Sequence, residues 1–373
     1  MLRENPLSFL HIIHPGLSSG NRGRERYQSV RERYLEFLDK KVLQQDGEPG
    51  FYLYQIEKGG FSSMGLFCTC SLDDYRNGTI KKHEDTLAAR EEQFADYLYR
   101  VGFNAEPVLM TFADDPVVTA VFQGIGGQSP DCGFTAPDGS DHRLWKVTDP
   151  RDMETLEHAF ARMGSLYIAD GHHRCASSNR LALKRAFGNS AHRGTEAYNF
   201  FMAYLIPESQ IRIHEYNRMV RDLAGLDAQG FLRRLDSHFK VEKRDVPLCR
   251  PIAKHGFSMY LQGNFYSLYL RGEPLAGDAL DTLDTQILYR SVLRPILGIT
   301  DPRNGDRISY IPGKKSLGPM QQAIDAGEFA VGFSLLPPSM EDIKAIADAG
   351  LIMPPKSTYI EPKPKSGLAI YEL

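Results

Sequence analysis

The residues best suited to chemistry lie in one short stretch, where an apolar run ends in an acid, a glycine, two histidines and an arginine. The apolar run is residues 166–169, and the polar residues that follow it are 170–174. Such polar side chains do not all find partners inside a hydrophobic core. A strand that ends in this cluster therefore indicates a reaction site or a phosphate-binding site in the turn that follows it.

Each residue of this turn fits the binding of an anion. Gly171 permits a backbone conformation that other residues resist, and the N–H groups after it begin a predicted helix whose dipole favours negative charge. Arg174 would hold a phosphate through two parallel hydrogen bonds, and His172 or His173 would donate hydrogen bonds or carry protons. Asp170 would either hold Mg²⁺ or deprotonate a substrate hydroxyl.

Two other interpretations of the turn remain open. One is a capped turn between strand and helix, in which the polar side chains bond only to nearby backbone. The other is a transition-metal site formed by His172, His173 and either a distant carboxylate or His83. Adjacent histidines seldom point in the same direction, which weighs against the metal site.

A second candidate site is the pair His83 and Glu84, which precedes a predicted helix. The imidazole and the carboxylate suit proton transfer, and Glu84 would serve as a general base or as a metal ligand. The alternative is the ordinary chemistry of a helix start. In that case Glu84 and Asp85 favour the helix dipole and Thr86 caps the helix.

A third candidate site is the loop that contains Lys356, Ser357 and Thr358, which prolines precede. A lysine and two hydroxyl groups in a stiff loop would bind a phosphate or a carboxylate, and Lys363 and Lys365 would enlarge the positive patch. Solvated surface charge is the alternative. Residues 216–218 and Asp284 are expected to be structural, the former as a turn with a salt bridge.

The elements that position these residues alternate between strands and helices, which predicts a mixed α/β fold rather than a clean doubly wound sheet. A glycine-rich segment at 124–139 is predicted to be a surface excursion or a mobile lid. The periodicity predicts strands at 51–56, 61–70, 166–169, 198–206 and 328–335, hairpins at 257–270 and at the C-terminus, and helices at 150–163, 175–187, 229–239, 279–297 and 340–349.

Length and composition set the class of protein. A chain of 373 residues is longer than a single hydrophobic core usually supports, so we predict two domains. The first is residues 1–195, which contain the polar turn. The second is residues 196–373, in which a final loop at 353–365 returns to the site. A net charge of -3 disfavours nucleic acid as a partner. The five scattered cysteines, with Cys68 and Cys70 packed on one face of a strand, and the lack of a long apolar run predict a cytoplasmic protein.

The sequence has no P-loop, dinucleotide fingerprint, nucleophile elbow or H-E-x-x-H motif. It does contain three separated motifs, Asp-Gly-His-His-Arg at 170–174, Lys-Lys-His-Glu-Asp-Thr at 81–86 and Met-Pro-Pro-Lys-Ser-Thr-Tyr at 353–359. Through these motifs the chain resembles a family of bacterial and archaeal proteins known as domain of unknown function 1015 (DUF1015). The motifs occur in the family's order over residues 5–373.

Through its Asp-Gly-His-His-Arg turn, that family is similar to the free-serine kinase (SerK) group of the ParB/sulfiredoxin-like superfamily. The resemblance implies a ParB-like nucleotide-binding core, with the phosphates of ATP or ADP on Gly171, His172, His173 and Arg174. It also implies that Asp170 acts on Mg²⁺ or on the nucleophile. The expected activity is therefore phosphoryl transfer to a small hydroxyl-bearing metabolite such as free serine.

A different class of function also fits the resemblance, namely a non-catalytic nucleotide-sensing protein of ParB type. Family members carry further residues before the segment 5–10, including a strand expected to face the site. The resemblance thus implies either that the start codon is misassigned or that this chain lacks one wall of the pocket, and the second alternative favours a sensor. A DNA-binding protein is disfavoured by the charge and by the lack of an evident helix-turn-helix.

Overall fold

The computed structural model describes residues 4–14, 24–272, 277–303, 305–314 and 317–373. The chain divides into two compact units. The first unit consists of Met1–Lys81, Thr86–Ile211 and Pro362–Leu373, and the second consists of Lys82–Asp85 and Arg212–Glu361. The predicted domain boundary after residue 195 stays a prediction, and the units change at residue 211 because residues 200–207 pair within the first unit's sheet.

The described ranges contain eleven α-helices, which are spread over both units. None of these helices is long and apolar enough to cross a membrane. Their bounds are α1 Leu10–Ile13, α2 Arg24–Asp39, α3 Leu72–Asn77, α4 Ala88–Val101, α5 Pro116–Gly126, α6 Pro150–Arg162, α7 His172–Phe187, α8 Ala228–Asp236, α9 Asp284–Leu288, α10 Gly318–Asp325 and α11 Met340–Asp348.

The strands of the described ranges form two large sheets and two short pairs, and together with the helices they make a mixed α/β protein, as predicted. Their bounds are β1 Phe51–Lys58, β2 Phe61–Ser71, β3 Ile80–Lys81, β4 Phe103–Asn104, β5 Val108–Phe112, β6 Cys132–Thr135, β7 Asp141–Val147, β8 Leu166–Asp170, β9 Phe200–Pro207, β10 Arg212–His214, β11 Tyr216–Val220, β12 Phe239–Arg244, β13 Gly256–Leu261, β14 Asn264–Leu270, β15 Ile308–Pro312, β16 Val331–Ser334, β17 Tyr359–Glu361 and β18 Tyr371–Glu372.

The first unit is built on an eight-stranded sheet of order β3-β8-β5-β9-β2-β1-β7-β6. Two of its pairings, β3 with β8 and β5 with β9, are parallel, and the others are antiparallel. Strands β1 and β2, which confirm the strands predicted at 51–56 and 61–70, form a hairpin, and Gly59 and Gly60 at its tip both have positive φ angles, as tight hairpin turns require. Strand β8, which leads to the polar turn, lies between β3 and β5.

Helices α5 and α6 pack on one face of this sheet. Helix α6 confirms the helix predicted from residue 150, with Asp149 as its cap and Pro150 in its first position, and Asp115 with Pro116 begins α5 in the same way. The thiols of Cys68 and Cys70 lie 3.9 Å apart on one face of β2 and pack against this core, which confirms their predicted role. Buried members of the core include Leu53, Leu66, Met110, Phe112, Phe122, Trp145, Leu156 and Ile168.

The second unit is built on a six-stranded antiparallel sheet of order β12-β14-β13-β16-β11-β15. The predicted hairpin at 257–270 is confirmed by β13 and β14, which turn at Gln262 and Gly263. The second unit also contains a short antiparallel pair, β10 with β17. Its core includes Phe231, Phe239, Phe257, Leu268, Leu288 and Phe333.

Three predicted elements differ from the structure. The segment 124–139 lies mostly at the surface, as predicted, but it contains regular structure, because α5 runs to Gly126 and β6 pairs with β7. The helix predicted at 279–297 is shorter, since the Asp278 carboxylate accepts the N–H groups of Leu280 and Asp281 and holds a turn there. The C-terminus forms no hairpin of its own, because β17 pairs with β10 and β18 with β4.

Candidate functional site

The turn after β8 adopts a conformation that depends on its glycine. Gly171 has φ +105°, in the region that side chains disfavour, and a Cβ atom there would lie 2.9 Å from the guanidinium of Arg174. Helix α7 begins at His172, three residues earlier than predicted, so both histidines and Arg174 lie in its first turn. The first backbone N–H groups of this 16-residue helix, which have no acceptor within the helix, therefore follow directly after Gly171.

The Asp170 carboxylate binds two cations, one on each oxygen. Its Oδ2 atom lies 2.8 Å from Nη2 of Arg174, and its Oδ1 atom lies 2.7 Å from Nζ of Lys363. Arg174 also donates to the carbonyl oxygen of Pro107. All three charged side chains are 30–40% exposed, so this cluster faces solvent rather than a core. The excess of positive charge lies beside the start of a helix, where an anion is favoured.

The two histidines of the turn have different surroundings. His172 is 5% exposed and lies among buried residues of α7, whereas His173 is partly buried and its carbonyl oxygen accepts a hydrogen bond from Ser177. Across the described ranges, no group of three His, Cys, Asp or Glu side chains is placed to hold a metal ion. The described residues therefore offer no set of ligands for the transition-metal site that the sequence left open.

His83 and Glu84 belong to the second unit. His83 is fully buried, and burial lowers the pKa of its imidazole to about 4. Its carbonyl oxygen accepts a hydrogen bond of 2.9 Å from the N–H of Met353. The proposed role of Thr86 as a helix cap is wrong, because α4 begins at Ala88 with Leu87 in the cap position. Glu84 is partly buried, and its catalytic role stays a prediction.

The loop that contains Lys356 is held in place by a ring contact and by hydrogen bonds to other residues of the second unit. Lys356 has φ +57°, an uncommon conformation for a residue with a side chain, and its ammonium lies 5.3 Å from the centre of the Tyr216 ring. The buried hydroxyl of Ser357 donates to the Pro354 carbonyl at 2.6 Å, and its oxygen lies 3.1 Å from the Thr285 hydroxyl. Ser357 thus shapes the loop, while Lys356 is exposed.

Arg218 is a buried charge beneath this loop, which the sequence did not reveal. Residues 216–218 were expected to form a turn with a salt bridge, but they lie within β11. Arg218 is 2% exposed, and burial lowers the pKa of its guanidinium to about 10. It donates to the carbonyl oxygens of Tyr216 and Lys356, and no carboxylate of the described residues pairs with it.

Asp284 is the first residue of α9, which begins five residues after the predicted start of the helix, and it is buried. Its carboxylate accepts the N–H of His255 at 2.9 Å, and burial raises its pKa to about 6. No other candidate residue contacts it through a hydrogen bond between side chains. Its role is therefore the local one that the sequence indicated.

The structure groups the candidate residues into separate sets. In the first unit it brings Asp170, Gly171 and Arg174 together with Lys363. The sequence placed Lys363 in a positive patch around Lys356 and in the loop 353–365 that was predicted to return to the site. The second unit contains His83, Glu84, Lys356, Ser357 and Thr358. A common site for all of these residues stays a prediction.

Comparison with solved structures finds distant likenesses. A free serine kinase in complex with AMP has 14% sequence identity and a TM-score of 0.38, over 79% of this chain and 87% of that chain. A C-terminally truncated SbnI from Staphylococcus aureus has 14% identity and a TM-score of 0.42, over 82% of this chain and 87% of that one. A conserved hypothetical protein from Pyrococcus furiosus has 13% identity and a TM-score of 0.36, over 79% and 90%.

At these scores the neighbours establish neither a shared ligand nor a shared activity. No curated protein matches the sequence. The family model described as a protein of unknown function, DUF1015, matches residues 1–286. Because this match covers more than half of the 373 residues, the chain belongs to the DUF1015 family.

Proposed function

We propose that this protein binds a nucleotide through its phosphates at the turn of residues 171–174 and transfers a phosphoryl group to a small hydroxyl-bearing metabolite. One observation carries the proposal: the exposed carboxylate of Asp170 holds two cations, Arg174 and Lys363, at the first turn of a long helix. A polyanion would find charge, directed amide groups and solvent access at one place.

The charge balance of the cluster favours a phosphate group. Arg174 and Lys363 carry two positive charges against the single negative charge of Asp170, and the helix start adds partial positive charge. Exposed ion pairs contribute at most about 1 kcal/mol, so an incoming phosphate can displace Asp170 from either cation. Arg174 is suited to this exchange because its planar guanidinium matches two phosphate oxygens.

Asp170 fits a Mg²⁺ ion as one of several ligands. Mg²⁺ is usually held by one or two carboxylates together with substrate phosphates, and the described residues offer no complete protein cage. Once a phosphate has drawn its cations away, the Asp170 carboxylate would hold the ion. When bound, Mg²⁺ would neutralise charge that develops on the transferred phosphoryl group.

The test of nucleotide binding is thermal unfolding with ADP, ATP and CTP, each with and without Mg²⁺. The wild type is expected to unfold at a higher temperature with at least one nucleotide, and Arg174→Ala should lose that shift. Arg180→Ala is the matched control, because Arg180 lies on the same helix and pairs with Glu92, not with the turn. Binding by no nucleotide, or equal shifts in wild type and Arg174→Ala, would contradict the proposal.

Turnover is tested separately, by incubating the protein with nucleotide, Mg²⁺ and free serine and assaying a phosphorylated product. Serine is the first acceptor to test because the Asp-Gly-His-His-Arg resemblance implies it. Asp170→Asn should abolish product formation and retain nucleotide binding. Nucleotide binding without product for any hydroxyl-bearing acceptor would instead identify the protein as a nucleotide sensor.

A further inference from the structure

The C-terminal strap, residues 362–373, belongs to the first unit, and Lys363 near its start contacts Asp170 of the polar turn. Its strand β18 pairs with β4, and the N–H of Leu373 donates to the carbonyl of Gly102 at 2.9 Å. The hydroxyl of Tyr371 donates to the carbonyl of Ala197 at 2.9 Å. Several hydrogen bonds along the strap therefore fix the course of its backbone, which sets the position of Lys363 near its start.

The strap and the turn both bond to the segment of residues 105–107, the strap to its first two residues and the turn to its third. The carbonyl of Ala105 accepts the N–H of Gly367 at 2.8 Å, and the Glu106 carboxylate accepts the Ser366 hydroxyl at 3.2 Å. The carbonyl oxygen of the next residue, Pro107, accepts a hydrogen bond from the guanidinium of Arg174. A single short segment thus sets the position of the strap relative to Arg174, which is what a shared binding site requires.

We propose that Lys363, delivered by the C-terminal strap, is a phosphate-binding residue of the nucleotide site, an inference that rests on the function proposed above. In the free protein its ammonium lies on Oδ1 of Asp170, and it moves to a nucleotide phosphate oxygen when the nucleotide binds. Its ion pair is 38–40% exposed, so the exchange costs little. The long lysine side chain reaches a new partner without movement of the anchored strap.

A merely structural role for Lys363 makes a different prediction. In that case Lys363 acts only by neutralising Asp170, and its removal weakens nucleotide binding through repulsion between Asp170 and the phosphates. Removing the charge of Asp170 as well would then restore binding. If Lys363 itself binds the phosphate, the second substitution does not restore it, because the contact is still absent.

The experiment measures the Kd of ADP by calorimetry without Mg²⁺, for wild type, Lys363→Met, Lys363→Arg and Lys363→Met/Asp170→Asn. Lys365→Met is the matched control, because Lys365 lies on the same strap and pairs with Asp138 at 3.6 Å. We expect Lys363→Met to raise the Kd about tenfold or more, as loss of a charge-assisted contact does. Lys363→Arg should recover most of the affinity, and Lys365→Met should bind as wild type.

The outcomes separate this inference from the proposed function. If Lys363→Met binds ADP as tightly as wild type while Arg174→Ala does not, Lys363 is no phosphate ligand and the nucleotide site stands. Recovery of wild-type affinity in the double variant also overturns the inference. If the wild type binds neither ADP, ATP nor CTP, the proposed function and this inference fall together. Equal unfolding midpoints of Lys363→Met and Lys365→Met establish that both variants fold alike.

Discussion

The guanidinium of Arg218 donates a hydrogen bond of 3.1 Å to the carbonyl oxygen of Lys356. This bond joins a buried strand to a loop residue that has a positive φ angle. Two carbonyl oxygens and the ring of Tyr310, 5.7 Å away, surround a charge that no carboxylate of the described residues neutralises. The loop that contains Lys356 therefore depends on a buried arginine for its shape.

Arg218→Met is expected to destabilise the protein by about 2 kcal/mol, because it leaves two partly buried carbonyl groups without their donor. Arg221→Met is the control, since Arg221 is exposed and donates to the Asp306 carbonyl at 2.8 Å. That change should cost less than about 0.5 kcal/mol. Urea unfolding followed by far-UV circular dichroism measures both, and equal losses would show that burial of Arg218 does not matter.

Gly171→Ala is expected to lower stability by about 1–2 kcal/mol and to weaken nucleotide binding, because φ is +105° and the new Cβ would displace the Arg174 guanidinium. Gly78→Ala is the matched control, since Gly78 also has a positive φ angle, +84°, but a Cβ atom there would meet no other atom within 4 Å. It should show the loss of stability without the loss of binding. Fluorescence of Trp145, which lies in the first unit, reports unfolding in both variants. Unchanged ADP affinity in Gly171→Ala would contradict the assigned geometry.

His83 should make the protein less stable in acid. Its pKa in the folded state is about 4, below the ordinary value of 6.5, so between these values the unfolded chain binds the proton and the folded chain does not. Stability from His83 is complete above pH 6.5 and falls as the pH drops toward 4, by up to about 3 kcal/mol. His83→Gln should flatten this part of the profile relative to wild type.

The measurement for His83 is urea unfolding at intervals from pH 4 to pH 7.5, followed by circular dichroism. His158→Gln serves as the comparison, because His158 is exposed on α6. The difference between wild type and His83→Gln should change with pH from 7.5 to 4 more than the difference between wild type and His158→Gln does. If the two differences follow the same course, burial does not control the titration of His83.

Tyr54→Phe is expected to cost about 1–2 kcal/mol, because the Tyr54 hydroxyl lies 2.7 Å from Nδ1 of the buried His142, whose other nitrogen lies 2.7 Å from the Ser140 hydroxyl. Tyr52→Phe on the same strand removes a hydroxyl that donates to the more exposed Asp46. Its effect should be smaller, and Trp145 fluorescence during urea unfolding compares the two. A larger loss in Tyr52→Phe would show that the buried network is dispensable.

The sequence predicted those features that depend on neighbours along the chain. Asp149 and Pro150 begin a helix because cap and first-position chemistry act within three residues. The hairpin of β1 and β2 follows from two glycines between two apolar runs. The turn at Gly171 was recognised because a glycine between an apolar strand and a polar helix start has few alternatives. The error at 279–297 came from a local competitor, the Asp278 side chain.

The sequence alone thus determined the mixed α/β character, the family motifs and the identity of the polar turn, because residue type and local backbone preference specify them. The tertiary structure decided which distant groups meet: Lys363 with Asp170, Arg218 with Lys356, and the complete burial of His83. Those contacts depend on strand pairing and on the course of the C-terminal strap. Charge partners far apart in sequence leave no periodic pattern, so only the folded chain identifies them.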